Sequence, residues 1–193
     1  MSTEMSGYLP KDKRKTILLI SDDFRLPSGI GTQSKELIFN TCHHYNWLQL
    51  GAAIQHPETG KLLDVSADIS RIKEIPDASV RVIPFEGYGD PMIFRQLLSL
   101  EKIDAVMIFT DPRFFGWLFE MEDEIRKKIP IFYWNIWDDL PYPMWNRPAY
   151  ASCDLLMGIS KQTVNINREV LGSVDGRPNY MELDYSNNYK VKV

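Results

Sequence analysis

A glycine-bearing loop, SDDFRLPSGIGTQSKE at residues 21–36, has the residue types best suited to binding a small ligand. It follows the apolar run 16–20, which predicts a strand, and it leads into a predicted helix. The first residues of that helix would offer backbone N–H groups at its positive end, where a phosphate or a sugar hydroxyl can approach closely. These residues are Gly29, Ile30, Gly31 and Thr32. A tight strand-to-helix turn that binds nothing is the alternative interpretation.

The spacing of the glycines separates this loop from two nucleotide-binding loops. A dinucleotide fingerprint requires a third glycine three positions after Gly31, and the residue there is Ser34. No Gly-Lys-Ser/Thr follows, so the loop is not a Walker A motif. The loop therefore indicates a phosphorylated or sugar ligand without specifying a nucleotide.

The elements that position this loop alternate along the chain, with short apolar runs between helical patterns. Alternation of this kind predicts βα units and a mainly parallel sheet. Strands are predicted at 16–20, 47–54, 62–65, 80–85, 104–109, 131–135 and 155–159, with a hairpin turn at 55–61. Helices are predicted at 32–44, 91–100, from 112 onward and at 160–171. The expected fold is an α/β, Rossmann-like sheet of six or seven strands with flanking helices.

Length and composition favour one domain with a substantial core, since the chain has 193 residues of which 44% are hydrophobic. We assign residues 1–14 to a polar, basic leader, solvated or attracted to an anionic membrane, 15–172 to the domain, and 173–193 to a tail or linker. The net charge of −4 gives no basic footprint for nucleic acid.

The two cysteines, Cys42 and Cys153, have neither disulfide-framework nor zinc-ligand spacing. The N-terminus has no apolar signal core, and no apolar run is long enough to form a transmembrane segment. A cytoplasmic location is therefore expected.

The order of these motifs resembles the N-terminal, acceptor-side domain of a GT-B glycosyltransferase, in the family 4 or glycogen-synthase-like group. The resemblance covers about residues 15–172. The segments that carry it are ILLISDDFRLPSGIGTQSKEL, DAVMIFTD, IPIFYWNIWDDLPYP and CDLLMGISKQTVNINREVLG. The last segment is the most similar, with an Asp-led strand, Ser-Lys and a helix that ends in Leu-Gly.

The resemblance implies roles for particular residues. Gly29 and Gly31 match the loop that, in the family, lies opposite the donor diphosphate. Trp137 stands where the family often has a histidine, and Asp138 matches the aspartate that follows it. A His-dependent role is therefore in doubt, which leaves Asp138 and Asp139 as acid/base candidates that orient an acceptor hydroxyl or take its proton. Alternatively, both only cap the loop before a proline.

Ser160 and Lys161 match the family's Ser-Lys pair at the start of the last helix, although an N-cap is the simpler role for Ser160. Aromatic residues concentrate around the same strand, and they either stack on sugar C–H groups or, as we favour, pack in the core. They are Tyr133, Trp134, Trp137, Tyr142 and Trp145.

The resemblance implies transfer of a sugar from a nucleotide-sugar donor, a substrate and not a cofactor, to a carbohydrate or other hydroxyl acceptor. The family's donor domain, with its Arg/Lys pair and Glu-x7-Glu motif, does not follow Gly172. We therefore expect the chain to be an incomplete catalyst that requires a donor domain, in the same or another polypeptide. No Asp-x-Asp motif is present, so no metal is expected.

Two other functions remain open. One is a non-catalytic sugar- or nucleotide-binding module on the same half-fold. The other is a receiver-like signalling domain, with Asp22 and Asp23 as an acidic Mg²⁺ pair and Asp64 as phosphoacceptor. The glycine loop and the length of the chain count against the receiver.

Overall fold

The computed structural model describes residues 7–172 and 180–182. The chain divides into two compact units, residues 1–105 and 106–193. The predicted tail at 173–193 lies outside the described residues, except for 180–182.

From residue 7 onward, where the structure describes it, the first unit is built around four strands and three α-helices. The strands are β1 (Lys15–Asp22), β2 (Tyr45–Ala52), β3 (Leu63–Asp64) and β4 (Val80–Pro84), and the helices are α1 (Gly29–Thr41), α2 (Ser66–Lys73) and α3 (Pro91–Leu100). Their order is β3-β4-β2-β1. β1, β2 and β4 are parallel, so the ends of these three strands meet at one edge.

The core of this unit lies on β1 and β2, each of which ends in six consecutive buried residues. Unbroken burial of this kind is typical of parallel strands that are covered on both faces. Ile17 lies opposite Trp47 in the register of the pair, and both side chains are buried. The apolar runs in the sequence therefore form the centre of the unit.

Two details of the first unit differ from the sequence prediction. The predicted hairpin into 62–65 is wrong, because β3 pairs antiparallel with β4, Leu63 opposite Val82, and not with β2. Helix α2 follows β3 and was not predicted. Its sequence SADISRIK has eight residues and buries only Ile69, so few apolar side chains mark it as a helix.

The basic leader is held against the first unit along its last residues. The Arg14 side chain is buried and forms an ion pair with Asp77. Its guanidinium also donates to the carbonyl oxygen of Leu9 at 2.6 Å and to that of Asp77 at 2.7 Å. The expectation of a solvated leader is therefore wrong for this residue.

Among its described residues, the second unit has four strands in the order β5-β6-β7-β8, and the pairs between them are parallel. They are β5 (Ala105–Phe109), β6 (Ile131–Asn135), β7 (Leu155–Gly158) and β8 (Tyr180–Glu182). The helices are α4 (Gly116–Glu120), α5 (Glu122–Ile125), α6 (Arg147–Ala151) and α7 (Lys161–Leu171). Short 3-10 turns at 112–115 and 144–146 precede α4 and α6.

The helix predicted from residue 112 is broken into a 3-10 turn, α4 and α5. Backbone at Phe115 and at Met121 lies outside the helical region, which ends one segment and begins the next. Helix α6 was not predicted, whereas α7 matches the predicted closing helix.

The fold class is confirmed as α/β with a mainly parallel sheet and flanking helices. The described residues hold eight strands against the six or seven predicted, and β3 and β8 have only two and three residues. The parallel strands bring the loops after β1, β2 and β4 to one edge in the first unit. The loops after β5, β6 and β7 meet at one edge in the second.

Candidate functional site

The start of α1 is capped by the chain itself. The Ser28 hydroxyl oxygen accepts the N–H of Gly31 at 2.9 Å, and the Ser28 carbonyl oxygen accepts the N–H of Thr32 at 2.9 Å. Within the described part of the chain, this leaves the N–H groups of Gly29 and Ile30 without a partner. Two of the four predicted loop residues therefore offer amides to a ligand, and two do not.

Gly31 has a structural role that the sequence did not reveal. A Cβ added at this position would lie 2.6 Å from the carbonyl oxygen of Leu26 and 2.9 Å from that of Asp23. Gly31 is buried, whereas Gly29 is exposed and has open space around it. The close approach that requires a glycine at 31 is thus made by the chain's own loop, and it does not depend on a phosphate.

Asp22 brings a negative charge to the start of the same helix. Its carboxylate is 9% exposed and accepts the hydroxyl of Ser28 at 2.8 Å and that of Tyr88 at 2.5 Å. Within the residues that the structure describes, it makes no ion pair. The Ser28 hydroxyl thus links this carboxylate to the first turn of α1.

Asp23, the next residue, is fully buried and already neutralised. Its carboxylate accepts the Arg25 Nε at 2.8 Å and Nη2 at 2.6 Å, and these bonds raise the pKa of Arg25. A Cβ at Gly51 of β2 would lie 2.6 Å from the Asp23 Oδ2, so only glycine admits the carboxylate there. This ion pair holds the loop and is not available for catalysis.

The side chain of the buried residue Gln49 holds the loop in place through hydrogen bonds. The Gln49 side chain donates to the Ser21 hydroxyl and to the Asp22 carbonyl oxygen, both at 2.9 Å, and accepts the Phe24 N–H at 3.1 Å. Gln49 is the one polar residue in the run Trp-Leu-Gln-Leu of a buried strand. A polar residue within an otherwise apolar, buried strand is the sequence signal that could have identified Gln49 as a residue that positions the loop.

The receiver-like alternative requires Asp64 beside Asp22 and Asp23. Asp64 lies on β3, and β4 and β2 separate that strand from β1. Its carboxylate accepts the N–H of Ser66 at 2.9 Å, as a residue before a helix commonly does. The structure therefore does not bring the three aspartates together.

In the second unit, a fully buried asparagine at the end of β6 organises the loop that carries the acid/base candidates. The Asn135 Oδ1 accepts the Trp137 N–H at 3.1 Å and the Tyr133 hydroxyl at 3.2 Å. Its Nδ2 donates to the Tyr150 hydroxyl at 2.9 Å and to the Asn167 Oδ1 at 2.6 Å. One side chain thus connects the loop, α6 and α7, and sequence reasoning missed it.

The carboxylates of Asp138 and Asp139 lie on this loop, and both residues are exposed. The backbone of Asp138 is fixed from α7, because the Gln162 side chain donates to its carbonyl oxygen at 2.6 Å. The Asp139 Oδ1 accepts the N–H of Leu140 at 2.8 Å. The Asp138 carboxylate has no hydrogen-bond or ion-pair partner among the described residues, so it is the freer of the two.

Ser160 and Lys161 begin α7 as predicted. The Ser160 hydroxyl oxygen accepts the N–H of Thr163 at 3.1 Å and lies 3.0 Å from the Thr163 hydroxyl. The N-cap role of Ser160 is confirmed, and its hydroxyl is occupied by that role. Lys161 is the exposed first residue of the helix.

The five aromatic residues around β6 divide into two groups. Tyr133 and Trp134 are buried, and the Trp134 ring stacks on Phe109 with centroids 4.2 Å apart. The predicted packing in the core is therefore confirmed for these two residues. In contrast, Tyr142 is 43% exposed and Trp145 is 61% exposed, so core packing is wrong for them. Trp137 is half-buried.

Comparisons of the chain with protein-family models, with curated proteins and with solved structures find no match. In the described ranges, no helix has both the length and the apolar character needed to cross a membrane. The same residues contain no group of three or more His, Cys, Asp or Glu side chains that could hold a metal ion.

Proposed function

We propose that this chain is the acceptor-side half of a GT-B glycosyltransferase, which transfers a sugar from a nucleotide-sugar donor to a hydroxyl acceptor. Support comes from the α/β fold, from the glycine loop that joins β1 to α1, and from the resemblance in the order of motifs. The resemblance implies a role in the reaction for the glycine loop and for the loop after β6. Among the described residues, the side chain best suited to the chemistry is Asp138, which lies on the loop after β6.

The observation that carries the proposal is the exposed, unpartnered carboxylate of Asp138. Its loop is anchored on both sides, by Asn135 through the Trp137 N–H and by Gln162 through the Asp138 carbonyl oxygen. A free carboxylate on a fixed backbone can hold an acceptor hydroxyl in one geometry and take its proton. The hydroxyl oxygen then bonds to the anomeric carbon of the donor as the bond from that carbon to the diphosphate breaks.

The departing diphosphate requires positive charge, and electrostatic stabilisation is usually the largest catalytic term. In this proposal the cations belong to a donor domain, as they do in the resembling family. The backbone N–H groups of Gly29 and Ile30, in the first unit, donate hydrogen bonds to the bound donor. The proposal therefore assigns acceptor activation to this chain and most of the donor binding to the donor domain.

A non-catalytic sugar-binding module is the second candidate, and one observation favours it. The Asp22 carboxylate is linked through Ser28 to the first turn of α1, where it repels an incoming phosphate. A neutral sugar hydroxyl meets no such repulsion. A module of this kind would bind sugar through the same loops without turnover.

The test uses the protein as its gene encodes it, mixed with its donor-domain polypeptide where that domain is encoded separately. The substrates are a panel of UDP-, ADP- and GDP-sugars and a mixture of oligosaccharide acceptors. Release of nucleoside diphosphate measures turnover. We expect Asp138→Asn to lower kcat by about 10²–10⁴-fold, as loss of a general base does, with a small change in the acceptor KM. Asp139→Asn is the matched control, because the side chain of Asp139 is engaged with Leu140, and it should change kcat far less.

One result would overturn the transferase, and another would overturn the role of Asp138. The first is a folded protein that releases no nucleoside diphosphate from any donor even when a donor domain is present, and sugar binding without turnover would then establish the second candidate. The other is an equal loss in the two aspartate variants, which would reduce Asp138 to a structural residue.

A further inference from the structure

Large apolar side chains are exposed on the six-residue segment LPYPMW, residues 140–145. Leu140 and Trp145 are each 61% exposed, Met144 is 50% exposed and Tyr142 is 43% exposed. Contiguous exposed apolar surface generally marks an interaction site, whereas single exposed residues require no explanation. Four such residues in six positions therefore indicate a surface that binds something.

We propose that Trp137, Tyr142 and Trp145, together called the aromatic face, bind a neutral carbohydrate chain beside Asp138. The inference rests on the proposed function, because it identifies this carbohydrate as the acceptor. Aromatic rings present flat apolar surface to the C–H groups of a sugar ring, and a carboxylate accepts hydrogen bonds from sugar hydroxyls. Both kinds of group occur here within nine residues of one loop.

The two indoles of the aromatic face are held in place. The Trp137 Nε1–H donates to the carbonyl oxygen of Asp139 at 3.0 Å, which fixes the ring of Trp137. The Trp145 ring meets it edge-to-face, with centroids 6.0 Å apart and planes at 77°. A rigid binding surface loses little conformational entropy when it binds a ligand.

The backbone beneath Trp145 is anchored as well. Asn146 is buried, and its N–H donates to the carbonyl oxygen of Pro143 at 2.8 Å. The Trp145 side chain is therefore exposed on a fixed turn. An exposed indole on an anchored backbone is typical of a binding surface.

Charge decides between a carbohydrate and a membrane as the occupant. Asp138 and Asp139 precede the exposed segment, and Arg147 follows it, so this stretch carries a net charge of about −1 at neutral pH. Anionic lipid surfaces attract clusters of Lys and Arg and repel carboxylates. A neutral polyhydroxyl chain meets no such repulsion, and the carboxylates then serve as hydrogen-bond acceptors.

The first experiment applies the protein to an array of neutral and acidic glycans and titrates the strongest neutral binder by calorimetry. Trp145→Ala should weaken binding by about tenfold or more, because it removes one whole stacking surface. Trp145→Leu should weaken it equally, since leucine is apolar but not flat, whereas Trp145→Tyr should retain most of the affinity. Ile72→Ala, which shortens an exposed apolar side chain on α2, is the matched control and should bind normally.

Three results would overturn the proposal that the aromatic face binds a neutral carbohydrate. They are the absence of binding to any neutral glycan, full binding by Trp145→Leu, or sedimentation with phosphatidylcholine and phosphatidylglycerol vesicles that depends on Trp145. Glycan binding that depends on Trp145, without release of nucleoside diphosphate even when a donor domain is present, would support the aromatic face as a binding site and reject the transferase. Turnover with an acceptor KM that is unchanged in Trp145→Ala would support the transferase and reject the aromatic face as the acceptor site.

Discussion

Replacing Gly31 with alanine tests the assignment of this glycine to the chain's own packing. The added Cβ would lie 2.6 Å from the Leu26 carbonyl oxygen. That is about 0.8 Å inside ordinary van der Waals contact, and the obstructing atom belongs to the backbone, so it cannot rotate away. Gly29, two residues earlier on the same helix, has no atom within 4 Å of its added Cβ.

The magnitudes follow from two opposing effects. Overpacking of this kind costs about 1–3 kcal/mol, and alanine is favoured over glycine in a helix by up to about 1 kcal/mol. Because the preference for alanine applies at both positions, we expect the free energy of unfolding of Gly31→Ala to lie about 1–3 kcal/mol below that of Gly29→Ala. Gly29→Ala should leave this free energy unchanged or raise it by up to about 1 kcal/mol. A branched residue at position 31 should cost more than alanine.

Urea unfolding followed by far-UV circular dichroism measures the difference, from the shift of the midpoint at constant slope. Equal stability of the two alanine variants would refute the reasoning. The Gly31 backbone would then have room for a side chain, and the original interpretation of that glycine as an opening for a ligand would again be the better one.

Three further predictions concern buried and paired groups. Asn135→Ala should lower the free energy of unfolding by about 2–4 kcal/mol in urea, because it leaves several buried polar groups unpartnered, and a smaller loss would contradict the network. Burial raises the pKa of Cys42 and that of Cys153, so neither thiol should react with a disulfide reagent at pH 8 until the protein unfolds. Arg113 lowers the pKa of Asp111, so the stability from this pair is present above about pH 4 and is lost as pH falls through the lowered pKa of the folded state. Urea midpoints at pH 3 and pH 5 should therefore differ less in Asp111→Asn than in the parent.

Six of the parallel strands, β1, β2, β4, β5, β6 and β7, were predictable because each contains a run of mainly apolar residues. Residues 131–135 form β6 as predicted, and residues 91–100 form α3, whose start is marked by an aspartate and a proline. The pairing of β3 was not predictable, because two residues carry no register information and a turn before a short strand suits a hairpin equally well. Local signals thus located the elements, whereas their pairing depends on contacts distant in sequence.

The candidate site was predictable only where position determines role. Ser160 precedes a helix, and its capping role follows from that position alone. Asn135 is different, because its four hydrogen bonds join a strand, a loop and two helices that are separated by up to 32 residues. Arg14 was misassigned for a related reason, since its partner Asp77 lies 63 residues away. Pattern along the chain does not reveal such partners.

The charge at the start of α1 determines which part of a donor the glycine loop suits. A helix N-terminus carries roughly half a positive elementary charge, whereas Asp22 carries a full negative charge one hydroxyl away. A diphosphate at the amides of Gly29 and Ile30 would therefore require a compensating cation. A sugar hydroxyl requires none. In the proposed enzyme, we accordingly expect these two amides to contact the transferred sugar, with the diphosphate held by the donor domain.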